Sequence, residues 1–216
     1  MPFEPLNVFR FAACVAGAAS VAAVAAPAGA VQPAPLATFA QAWQSIDAYS
    51  ATVTAFERKG SQVVNVTLDY KFRKPSNVLI HIVAGPNAGA SLSWNGGETI
   101  TAWHPGFLSF IKKTFDLHDS YVETTRGASI DELSFGSILA HAEHEAGKLD
   151  VAPPDEIGGT PAQVVTLTPA DPAHDGGLTR EVVELSPATH LPMRVLGYEG
   201  ATLVRKIDFD KVTVDD

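Results

Sequence analysis

The chain has 216 residues, 46% hydrophobic and 18% charged, with 24 acids against 15 Lys and Arg and a formal charge of −9. That composition is enough to build a core, which excludes long disorder. An acidic surface is repelled by phosphate, and no basic run longer than Arg73-Lys74 or Lys112-Lys113 offsets it, so no nucleic-acid partner is expected.

The first 30 residues hold eleven alanines, the sole cysteine, one base (Arg10) and one acid (Glu4). Arg10 precedes an apolar run from Phe11 to Ala26, and Ala28 and Ala30 form an A-x-A cleavage pattern. Residues 1–30 therefore read as a secretory signal peptide and residues 31–216 as a single domain. The run is short and alanine-rich beside the roughly 20 strongly apolar residues of a membrane span, and no second candidate follows it. The mature protein is expected to be periplasmic, soluble and not integral to the membrane. A lipid anchor on Cys14 is a second reading, but no hydrophobic segment precedes that residue. If Cys14 leaves with the signal, the mature chain has no cysteine, and a core of this size needs no disulfide in an oxidising compartment.

Phe39, Trp43 and Ile46 recur at helical spacing through Asp47, which predicts an amphipathic helix of three or four turns. From Tyr49 the period becomes two. Tyr49 to Lys59 reads as a strand, Gly60-Ser61 as a tight turn and Gln62 to Arg73 as the clearest strand of all. There Val64, Val66, Leu68, Tyr70 and Phe72 alternate with polar residues, the pattern of an antiparallel sheet with one wet face. Further strands follow at Val78 to Val83, Ser91 to Trp94 and Glu98 to His104, the last two joined by an Asn95-Gly96-Gly97 hairpin. Between Pro105 and Asp119 the alternation fails, and the segment reads as irregular and apolar. Ser129-Ile130-Asp131-Glu132 has the form of a capping box and opens a helix predicted to run to Gly147. Strands return at Ala162 to Thr168, Thr179 to Leu185, Pro192 to Tyr198 and Leu203 to Val214. In the last, the apolar parity changes after Phe209, which predicts a bulge near Asp210-Lys211.

These elements carry a resemblance. Tyr49-Ser50-Ala51-Thr52 leading into Phe56-Glu57-Arg58, then Tyr70 to Pro75, resembles the first hairpin of the LolA/LolB-type lipoprotein-carrier superfamily. Trp94-Asn95-Gly96-Gly97 and Thr189-His190-Leu191-Pro192-Met193-Arg194 resemble two of its later turns. His104-Pro105-Gly106-Phe107-Leu108, followed by the Ser129 helix, is similar to a bacterial branch of periplasmic proteins with that fold. The resemblance spans about residues 36 to 214. It implies an α+β fold: a strongly curved antiparallel sheet, or half-barrel, whose concave face is covered by an N-terminal helix and a central helical insertion. It also implies that this face holds acyl chains or other hydrophobic groups.

The candidate lining of such a site is Val66, Leu68, Tyr70, Ile80, Trp94, Trp103, Phe107, Phe110 and Ile111. The aromatics from Trp94 to Phe115 either plug the core or form a lid over a ligand, since both require burial. His141, His144 and Glu145 bring metal chemistry to mind, but the spacing of a zinc motif is absent and no third ligand is implied, so no metal or other cofactor is expected. No G-x-S-x-G elbow, no thiol in the mature chain and no glycine-rich phosphate loop supports an enzyme. The function expected is that of a non-enzymatic carrier or sensor for a lipid, acyl chain or lipidated protein in the cell envelope. The alternative is a fully packed module that recruits an envelope protein partner and holds no small molecule.

Overall fold

The computed structural model describes residues 33–104, 111–144, 146–157 and 159–215. The signal segment with Cys14 and the cleavage residues Ala28 and Ala30, and the stretch 105–110 with Phe107 and Phe110, lie outside them.

Helix α1 (Ala34–Gln44) leads into a meander of six strands: β1 (Ala48–Lys59), β2 (Gln62–Arg73), β3 (Asn77–Ala84), β4 (Ser91–Asn95), β5 (Thr99–Trp103) and β6 (Lys112–Asp116). A 3-10 turn (Ile130–Leu133) and α2 (Phe135–His144) follow. The chain returns through β7 (Ala146–Ile157), β8 (Thr160–Pro169), β9 (Arg180–Leu185), β10 (Pro192–Glu199) and β11 (Thr202–Asp215). All eleven strands form one antiparallel sheet in the order β6-β5-β4-β3-β2-β1-β11-β10-β9-β8-β7. The two meanders meet where β1 pairs with β11, and β6 and β7 are left as edges, so the sheet is an open half-barrel with one N-terminal and one central helix.

The period-two reading is realised in β2, where Leu68, Tyr70 and Phe72 are buried while Asp69, Lys71 and Arg73 are exposed. The bulge in β11 is also present: Ser50 pairs with Thr213 and Thr52 with Asp210, leaving Lys211 and Val212 opposite Ala51 alone. Lys211 takes φ 52°, the left-handed conformation that lets the strand change parity.

Both helices dock on the inner face at one end of the sheet. Tyr49 and Phe135 stack with centroids 4.2 Å apart, and the Tyr49 hydroxyl accepts the Phe135 N–H at 3.1 Å. Trp43, Phe72, Tyr70 and Phe209 complete this aromatic block. Gly136 permits the closeness of the helices, since a Cβ there would come within 2.7 Å of the Trp43 ring. Lys74 reaches back from the corner after β2 to the last carbonyls of α1, 2.8 Å from Trp43 O, and its ammonium lies 4.6 Å from the Trp43 ring centroid. A cation there answers the partial negative charge of the helix C-terminus.

Four expectations need correction. The first helix ends at Gln44, and Ile46 is buried from the turn that follows it. The apolar stretch before Asp119 contains an edge strand, β6, whose mostly exposed side chains hide it from a burial-based pattern. The predicted second helix is split: Ser134 takes φ −72° and ψ 151°, extended backbone, between the 3-10 turn and α2. It also stops at His144, because Ala146 already pairs with Pro169 in β7. That edge strand has little apolar alternation and carries Pro153-Pro154, where the register shifts, as suits a strand with one unpaired side.

Candidate functional site

Away from the aromatic block the inner face stays open. A cavity of about 670 Å³ lies between the sheet and the 3-10 turn with α2. Its sheet wall is Ala55 from β1, Val64, Val66 and Leu68 from β2, Ile80 and Ile82 from β3, Val183 from β9, Val195 from β10 and Ile207 from β11. Ile130, Leu133 and Ile138 cover it from the helical side, and Tyr121 and Val122 from the loop before them. Along β2, burial weakens in steps from Leu68 to Val66 and Val64 as the strand passes from the helices into this hollow.

One rung of the inner face is charged. Glu57 in β1 pairs with Arg205 in β11, Arg205 with Gly197 in β10, and Gly197 with Glu181 in β9. Gly197 makes the room, since a Cβ there would press at 3.0 Å on both Arg205 and Leu178. Glu57 is 8% exposed and fully engaged. Its Oε1 accepts from Thr124 Oγ1 at 3.1 Å and Arg205 Nε at 3.3 Å, and its Oε2 from Thr125 Oγ1 at 2.5 Å and Arg126 N at 3.0 Å. Arg126 in turn donates to Arg58 O, Gly176 O and Glu199 Oε2 at 2.6–2.7 Å, which ties the loop before the 3-10 turn to the rim of the sheet.

At the far end of this rung His141 Nε2 lies 2.6 Å from Glu181 Oε1 and 3.6 Å from Asp175 Oδ2. Burial, and after it the charge of Glu181, pushes the Asp175 carboxyl up to about 6. Burial alone would raise Glu181 too, but the hydrogen bond and charge of His141 outweigh it and hold Glu181 below the usual carboxylate range. For Arg205, burial opposes the charge, yet Glu57 and Glu181 beside it keep the guanidinium firmly protonated.

Of the residues expected to line a ligand site, Val66, Leu68 and Ile80 border this cavity. Tyr70 is fully buried within the aromatic block, 5.8 Å from the Tyr49 ring. Trp94 borders a second hollow, near Phe72 and Val78, and its Nε1 donates to Gly97 O at 2.6 Å. Trp103 is next to Ala102, which pairs with inward-facing Leu92, so its side chain takes the opposite face, where Lys112 Nζ lies 5.7 Å from its ring. Ile111 is 37% exposed. Phe107 and Phe110 belong to the residues not described. His141 meets Asp175 and Glu181 from other elements, a grouping the local His141/His144 spacing does not contain.

Sequence reasoning expected a helical cover without naming Ile130, Leu133 and Ile138 in it, and missed the wall from the later strands and the charged rung. The rung has a signal: Glu57 continues the buried parity of Tyr49, Ala51, Val53 and Ala55, Glu181 that of Val183 and Leu185, and Arg205 that of Ile207 and Phe209. A charge on the buried parity of a strand is a departure that needs partners.

No protein-family model matches the chain, and no curated protein matches it. Solved structures do. A conserved protein from Thermus thermophilus is similar at a TM-score of 0.51 and 9% identity, over 84% of this chain and 86% of that one. An outer membrane lipoprotein-sorting protein domain from Vibrio parahaemolyticus gives 0.45 and 12%, over 83% and 92%. A LolA superfamily protein from Nitrosomonas europaea gives 0.37 and 11%, over 83% and 93%. At these identities the likeness is one of fold. The open antiparallel sheet, its helix placement and its inner hollow make this a half-barrel, the fold that the resemblance in the sequence implied.

Proposed function

We propose that this protein is a non-enzymatic binding protein of the bacterial periplasm, exported by residues 1–30, whose domain 31–216 holds a lipid, an acyl chain or the lipid of a lipidated protein as carrier or sensor. The observation that carries this reading is the cavity: about 670 Å³ of space walled by aliphatic side chains of both meanders and roofed by Ile130, Leu133 and Ile138. A hollow of that size and lining is where an apolar ligand gains most, about 0.8 kcal/mol for each methylene taken out of water. Among the described residues no helix is long and apolar enough to cross a membrane.

The test is titration with an environment-sensitive fluorescent fatty-acyl probe, together with organic extraction and mass spectrometry of protein purified from the envelope. Saturable binding is expected, and Val66→Glu, which sets a charge in the aliphatic wall, weakens it about tenfold or more while circular dichroism stays unchanged. An intrinsic tryptophan signal is not the readout of choice, because Trp43, Trp94 and Trp103 do not border the cavity. A parent protein that neither binds the probe nor yields an extractable lipid would overturn the reading in favour of an envelope interaction module.

A further inference from the structure

The polar end of the cavity contains a group that binding an apolar ligand does not use. His141 comes from α2, Asp175 from the loop before β9 and Glu181 from β9 itself, and one ligand atom of each lies within 4.8 Å of the other two. Two observations ask for a centre to this group. Two carboxylates converge on a single imidazole nitrogen, 2.6 Å and 3.6 Å away, and like charges held together in a buried place need a proton or a cation between them. In addition Asp175 Oδ2 is buried where its neighbours are the His141 nitrogen, at 3.6 Å beyond hydrogen-bond length, and the carboxyl of Glu181. A buried carboxylate oxygen facing a second carboxylate, with no donor at hydrogen-bond length, is a costly arrangement, and it is the oxygen that a bound ion would engage.

We infer that His141, Asp175 and Glu181 form a divalent transition-metal site, with Zn²⁺ the ion that this donor set suits best. One imidazole nitrogen and two carboxylate oxygens are ordinary zinc ligands, with bonds of about 2.0–2.2 Å that set tetrahedral donors roughly 3.3–3.6 Å apart. The His141 to Asp175 separation of 3.6 Å already meets that spacing, and His141 to Glu181 widens once its hydrogen bond gives way to two bonds to the ion. Charge fits as well. Arg205 also faces the pair, but it is matched by Glu57 at 3.3 Å, so Asp175 and Glu181 keep two negative charges for a dication. All three ligands border the cavity, which leaves a fourth position for water or for a polar group of whatever occupies the hollow. An ion there ties α2, the roof of the cavity, to the late strands of its floor. The site does not depend on the nature of the apolar ligand.

The experiment uses chelator-stripped full-length protein titrated calorimetrically with Zn²⁺ alone, and with Co²⁺ for its visible absorption. One equivalent is expected to bind, with Co²⁺ bands of a low-coordinate nitrogen and oxygen site. Asp175→Asn and His141→Gln each weaken binding about tenfold or more. Asp175→Asn keeps the shape and removes a like charge, so it tests the site without threatening the fold, which circular dichroism verifies. His118→Gln, at an exposed histidine paired with Glu123 and away from the cavity lining, leaves binding intact. Absence of saturable binding, binding that survives Asp175→Asn, or binding lost with His118→Gln overturns the metal site, the first two results leaving a shared proton between the carboxylates.

Discussion

Strands β1, β2 and β11 run through two regions of the inner face that differ in kind. At the helical end Tyr49, Tyr70, Phe72 and Phe209 meet Trp43 and Phe135 ring against ring. A few residues further along the same strands Ala55, Val64, Val66 and Ile207 face the cavity. The difference lies in side-chain volume and in the distance of the cover: aromatic rings bridge sheet to helix, whereas aliphatic side chains of similar polarity do not. On the proposed function, stability is expected to be concentrated in the first region and binding in the second, and substitutions separate the two.

The largest effect belongs to the closed region. Tyr49→Ala removes the ring stacked on Phe135 and strands the Phe135 N–H, and is expected to cost about 3–5 kcal/mol, read as a lower midpoint in urea unfolding. Next is the clamp at the rim. Arg126→Ala leaves Arg58 O and Gly176 O without their donor and is expected to cost about 2–3 kcal/mol, again by denaturant titration. Gly136→Ala forces a methyl against Trp43 and should lower stability by about 1–3 kcal/mol, with acyl-probe affinity of the folded protein unchanged. Filling the open region does the reverse: Ile207→Phe should leave the unfolding midpoint within about 1.5 kcal/mol of the parent while weakening probe binding about tenfold. Equal loss of stability at Ile207 and Tyr49 would show that the two regions are one packed core. The smallest effect is at the 3-10 turn, where Glu132 Oε1 accepts the Ser129 N–H at 2.9 Å; Glu132→Ala should cost about 0.5–1 kcal/mol in thermal unfolding and spare the sheet.

Much of the fold was legible because alternation is written residue by residue. The β1–β2 hairpin, the β11 bulge and an antiparallel sheet could be read from it, the Asn95-Gly96-Gly97 turn from its glycines, and the half-barrel class was what the resemblance implied. Strands β6 and β7 could not. Each is an edge with one neighbour and mostly exposed side chains, and no buried face imposes a period on its sequence. The break at Ser134 was hidden for a different reason: Ile130, Leu133 and Ile138 keep helical spacing across a backbone that is not helical, because the same core lies beneath both pieces.

The site divides along the same line. Sequence alone determined that Val66, Leu68 and Ile80 face inward, since a strand turns alternate residues to one side whatever surrounds it. The same alternation holds a signal that the sequence reading did not use, since Glu57, Glu181 and Arg205 are charges on buried parity. Whether an inward residue meets a cavity or a packed ring was decided only by tertiary structure, because that depends on how far α2 stands from the sheet at each point. Val66 borders space and Tyr70, four residues along the same strand face, does not. The meeting of His141 with Asp175 and Glu181 was likewise decided by the fold, which brings a helix to a loop and a strand up to 40 residues further along the chain.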